Sequence, residues 1–137
     1  MHGSATRINL VLAVFGLGMA LPMLAHHSVQ KQYDINQMVT IQAVVTKIDW
    51  VNPHVRLWVE TNNPDGTVSS WEMELPAPSA LSKESVRMGF LKQGDRITAA
   101  IWRAKDGSRL GHALSVTAPD GRVMNFPRNW EMPANSK

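Results

Sequence analysis

The hydrophobic pattern of this chain changes character twice. Up to Ala25 it holds a continuous apolar run, from His26 to Gln37 it is polar without a period, and from Val39 it falls into short alternating segments bounded by turn residues. The first of these, VTIQAVVTKIDWV from Val39 to Val51, is rich in β-branched residues and long for one strand, so a strand that bends is expected. A turn follows at Asn52-Pro53, where proline keeps the residue before it out of the helical region. HVRLWVE then puts Val55, Leu57 and Val59 on one face and His54, Arg56, Trp58 and Glu60 on the other. After the turn NNPDGT, the run VSSWEMEL places Trp71, Met73 and Leu75 inward and Ser70, Glu72 and Glu74 outward, which predicts a hairpin of the second and third strands.

Pro76 and Pro78 end that rhythm, and the stretch to Gly89 predicts one short helix capped by Ser79 or Ser82. A fourth strand has Ile97, Ala99 and Ile101 inward, and a fifth, LGHALSVTA, puts Leu110, His112, Leu114 and Val116 on a shared face. PDGRVM suggests a last hairpin, and the tail offers Phe126 and Trp130 for docking. The order β-β-β-α-β-β predicts an all-β fold with one short helix, a small OB-like β-barrel; a small β-sandwich is the alternative.

The apolar run stands outside this domain. Arg7 without a nearby acid, 18 uncharged residues from Ile8 to Ala25, and a small residue at the end have the layout of a secretory signal peptide. An uncleaved anchor is the competing reading of a run that length, and a cut after Ala20 competes with one after Ala25. The expected organisation is a signal peptide at 1–25, an extended arm at 26–38, the barrel at 39–124 and a tail at 125–137, with the mature protein periplasmic or secreted and not inserted in the membrane.

Charge and composition narrow the function. A net charge of +3, falling to +2 once Arg7 is removed, is too small and too scattered for a nucleic-acid footprint. With no cysteine, the chain has no disulfide, thiol nucleophile or iron–sulfur ligand. HExxH, GxSxG and phosphate-binding glycine loops are absent as well. Metal chemistry would fall to His26, His27, His54 and His112, the histidines that remain after residue 25. A cut after Ala25 gives His26 a free amine beside its own imidazole; with one further ring this makes a three-nitrogen brace suited to Cu(II), with zinc second. His27 is a second chelating option, and the 13-residue arm can span roughly 43 Å, enough to reach His54. In an OB-like barrel His54 and His112 lie near one mouth. Against this stand plainer expectations: a flexible start at His26 and His27, a turn residue at His54, a hydrogen-bonded core histidine at His112. A metal-free ligand face is also in view, with Trp58 beside Arg56 and with Trp50 nearby. Glu72 and Glu74 point the same way, but nothing marks either as an acid or base.

Taken in order, the motifs His26-His27-Ser28, Trp50-Val51-Asn52-Pro53-His54, Trp71, Pro78-Ser79 with Leu81, Gly94-Asp95, Lys105-Asp106-Gly107-Ser108, Ser115-Val116 and Asp120-Gly121 resemble those of a family of small uncharacterised bacterial exported proteins, a domain of unknown function. Gly89-Phe90 stands where that pattern has Gly-Trp, and the tail beyond Met124 has no counterpart. The resemblance implies export and a mature start at His26, and His26, His27 and His54 match its motifs; His112 does not. The expected function is a non-enzymatic exported binding protein holding copper through His26 and His54, assisted by His27 or His112. A metal-free ligand- or protein-interaction module of the cell envelope is the alternative, and a copper-dependent redox enzyme the third reading.

Overall fold

The structure, a computed structural model, describes residues 29–128 and 130. Its elements are α1 (Val29–Gln32), β1 (Tyr33–Asp49), β2 (Val55–Asn62), β3 (Val68–Leu75), α2 (Pro78–Lys83), β4 (Arg96–Ala104), β5 (Leu110–Thr117) and β6 (Val123–Asn125). The strands run in the order β3-β2-β1-β4-β5-β6, and a parallel pairing of Glu72–Glu74 with Leu110–His112 joins β3 to β5. That pairing closes a ring β1-β2-β3-β5-β4 with α2 between β3 and β4, the expected OB-like order.

The long first strand works because it bends. Met38 to Val44 pair with β4, Val44 to Asp49 pair with β2, and the register slips between Val45 and Lys47. A bulge of this kind sharpens local twist and lets one strand turn a barrel corner. The expected alternation holds on β2, β3 and β4: Val55, Leu57, Val59, Trp71, Met73, Leu75, Ile97, Ala99 and Ile101 all lie in the core.

The arm departs from expectation. Its described part is not a free extended segment: Val29–Gln32 is a helical turn and β1 already begins at Tyr33, six residues before the expected barrel boundary. Val29 and Tyr33 are buried with Trp102, Ala104 and Leu114 in a second apolar cluster on the outer face of the barrel. Lys105 fastens this segment, its backbone N–H donating to Gln32 O (2.9 Å) and its Nζ to Gln30 O (2.7 Å). At the other end β6 runs to Asn125 and Phe126 is buried in the main core, so the barrel extends past residue 124. The helix differs too: neither Ser79 nor Ser82 caps α2, whose N-cap is Ala77, with Pro78 in the first turn where a missing N–H costs nothing.

On β5 the single expected face is split. Ala113 pairs with Ile101 and Ser115 with Ala100, which leaves Leu114 as an extra residue between them. The bulge resets the phase: Ala113 and Val116 enter the main core, whereas Leu114 joins the outer cluster. His112 and Val116 are therefore not on one face. Gly111 is also set inward, where a Cβ would stand 2.8 Å from Ile101 Cδ1 and 3.4 Å from its Cβ. Gly111→Ala should cost about 1 kcal/mol through overpacking, read as a lowered midpoint in urea unfolding.

Candidate functional site

The strand registers assemble a belt of outward-facing residues around the barrel. Met38 pairs with Trp102, Trp102 with His112, His112 with Glu74, Glu74 with Arg56, and Arg56 with Asp49. Residues paired across neighbouring strands share a face, so each strand of the ring contributes to this belt.

His112 is its most enclosed member. Its ring stacks on Trp102 (centroids 5.4 Å, interplanar 17°) and on Trp130 (4.5 Å, 7°), and the Tyr33 ring closes in at 5.4 Å. It is 0% exposed, yet neither Nδ1 nor Nε2 has a hydrogen-bond partner among the described residues. The expected core histidine is buried, and among the described residues it has no hydrogen bond. Burial, and secondarily the nearby His54, push its pKa down to about 4. At neutral pH it is an uncharged imidazole with one N–H and one lone pair, both withheld from water.

The polar neighbours of His112 are committed elsewhere. Tyr33 Oη donates to Glu74 Oε2 (2.8 Å), and Arg56 bridges to Glu72 and to Glu74. Glu72 and Glu74 do point the same way, but as two acceptors on one guanidinium. His54 is half-buried and meets Trp130 edge-on at 4.9 Å. Trp130 also donates its Nε1–H to Ala113 O at 3.4 Å.

Of the four histidines expected to bind metal, the structure brings His54 and His112 against one indole, that of Trp130. His26 and His27 lie outside the described residues, as do the apolar run and residues 131–137. Among the described residues no group of three or more His, Asp or Glu side chains is placed to hold an ion, and no helix is long and apolar enough to cross a membrane.

Of the expected ligand face, Arg56 and Trp58 share the outward side of β2. Trp58 is outward and half-buried, with Lys47 Nζ 4.5 Å from its ring centroid, and Arg56 is bound to the two glutamates. Trp50 follows Ile48, which the β1 bulge turns toward Leu57; it packs against the core and meets Phe90 at 6.0 Å.

Tyr33, Trp102 and Trp130 were not read as site residues. Only Trp102 carried a usable signal, as a tryptophan on a strand whose inward face was already filled by Ile97, Ala99 and Ile101.

The model of a family of unknown function matches residues 16–113. The match takes in His54 and His112 and stops short of Trp130. No curated protein matches the chain. Among solved structures, a crystal structure of the mitochondrial single-stranded DNA binding protein Rim1 of S. cerevisiae is similar with a TM-score of 0.47 and 6% identity, over 61% of this chain and 93% of that one.

Proposed function

We propose, for a chain that belongs to the family of unknown function DUF6152, an exported small β-barrel protein that binds copper where its processed N-terminus meets the outer face of β5. The observation that carries this reading is the state of His112, fully buried and without a hydrogen bond on either ring nitrogen among the described residues. A neutral imidazole with a free lone pair is a metal ligand in waiting, and coordination would remove the cost of burying it unsatisfied.

The described chain next to the N-terminal histidines starts at the same place. Val29 is buried in the cluster that contains Tyr33 and Trp102, the two rings that also touch His112. His27 is two residues earlier, and two residues span at most ~7 Å. Cleavage after Ala25 would therefore free the His26 amine within reach of His112. In this reading His26 supplies its amine and ring, His112 a third nitrogen, and His27 and His54 assist. An all-nitrogen set without thiolate suits Cu(II) first and zinc second. No catalytic role is assigned, since Glu72 and Glu74 are both engaged by Arg56.

The test is a Cu(II) titration followed by EPR on protein beginning at His26, beside the same protein with a methionine in front. The His26 form should bind at least about tenfold tighter and show a nitrogen-rich spectrum. Equal, weak binding by both forms would remove the N-terminal amine from the site. A metal-free interaction module retains one favourable observation, the outward Trp58 under Lys47; Trp58→Ala should leave copper binding unchanged.

A further inference from the structure

We infer that the indole of Trp130 stands where a metal ion would join His54 to His112, making the C-terminal segment a displaceable cap on that pair. The inference rests on the copper reading and gives it a mode of control.

The geometry defines the competition. Trp130 is 4.9 Å from the His54 ring and 4.5 Å from the His112 ring, centre to centre, so the two imidazoles are no more than ~9.4 Å apart. With metal–nitrogen bonds near 2 Å, rings sharing one ion stand roughly 6.5 Å apart or less. The pair is thus a short movement from a common ion, and the indole packs directly against both rings. Cap and ion are mutually exclusive there.

The attachment of Trp130 is light beside that of the residues before it. Phe126 is the fixed post, buried in the core with its N–H donating to Leu114 O at 2.8 Å. Beyond it, among the described residues, Trp130 packs half-buried against the edge of the core and is held by a turn bond to Pro127 O (3.2 Å), by its indole N–H to Ala113 O (3.4 Å) and by ring contacts. A 3.4 Å N–H···O contact is near the limit of a useful hydrogen bond. Three residues separate post from cap, so Trp130 can lift while Phe126 keeps its place in the core. Trp102 would still cover the opposite face of His112.

The cap also lies outside the matched family region, which ends at residue 113, whereas both histidines lie inside it. The control is assigned to this chain's C-terminal segment and not to the family domain.

The experiment compares wild type, Trp130→Ala and Trp130→Phe, each beginning at His26, with Cu(II) as the probe. Trp130→Ala should bind copper at least about tenfold tighter than wild type, and Trp130→Phe should fall between them. In wild type, copper should speed tryptic cleavage after Arg128 several-fold as the segment lifts. Equal copper affinity in wild type and Trp130→Ala, with unchanged cleavage, would overturn the cap and leave the copper reading standing. Absence of copper binding in all three would overturn both. Histidine acylation by diethyl pyrocarbonate, mapped by mass spectrometry without metal, adds an independent arm: His54 and His112 should react faster in Trp130→Ala, and equal rates would show that Trp130 does not shield them. Circular dichroism melts establish that each variant is folded.

Discussion

Replacing His112 with phenylalanine is expected to stabilise the metal-free protein by about 1–2 kcal/mol while weakening its copper binding at least about tenfold. A buried polar group without hydrogen bonds costs about 1–3 kcal/mol relative to one that is satisfied, and His112 has two such ring nitrogens at 0% exposure. Phenylalanine keeps a flat ring between Trp102 and Trp130 and brings no polar atom. The slight gain in ring volume gives back part of the benefit. Urea unfolding in the presence of a chelator measures the first quantity, and EPR-monitored titration the second. A destabilised variant would mean that His112 has a partner that stabilises it. A site retained for stability should weaken when its residue is changed, and a site retained for binding should not.

The second large effect is on acid stability. His112 titrates at about 4 in the folded protein, because burial disfavours the cation, against 6.5 for an unperturbed histidine. At pH above 6.5 both folded and unfolded chains carry it neutral, and it makes no pH-dependent contribution. Between 6.5 and about 4 the unfolded chain takes up a proton that the folded one does not, so stability falls as pH falls. The loss should reach about 3 kcal/mol by the lower end of this window, at 1.36 kcal/mol per pH unit. The carboxylates held low by hydrogen bonds, Asp65, Asp95, Asp106 and Asp120, titrate below the window and do not mask it. Unfolding free energies measured from pH 7.5 to 4 should show this slope in wild type and lose most of it in His112→Phe. A flat wild-type profile would place the His112 ring in contact with water.

The barrel was legible because its inner face is written in simple alternation: Val55, Leu57, Val59 and Trp71, Met73, Leu75 could be assigned by parity alone. The site was not, for three physical reasons. On β5 a single extra residue, Leu114, shifts the parity, so His112 and Val116 read as neighbours when they face opposite ways. Tyr33 is distant in sequence from the glutamate it binds, and Glu74 comes beside His112 through the parallel pairing of β3 and β5, a closure that alternation does not encode. Trp130 lies in a stretch with no period, where docking depends on the surface already built. Trp50 lies beyond the β1 bulge between Val45 and Lys47, so its facing could not be read from the alternation earlier in that strand.

The bulge that divides β5 also joins two functions thermodynamically. Within one strand, Ala113 and Val116 wall the main core and His112 and Leu114 face the outer cluster. Whatever binds at His112 must therefore add its free energy to the unfolding of the whole barrel, following RT ln(1 + [L]/Kd). The protein is in effect its own sensor. A thermal-shift panel of metal salts and small molecules, run beside His112→Phe as the deaf control, can search for the natural ligand without assuming what it is.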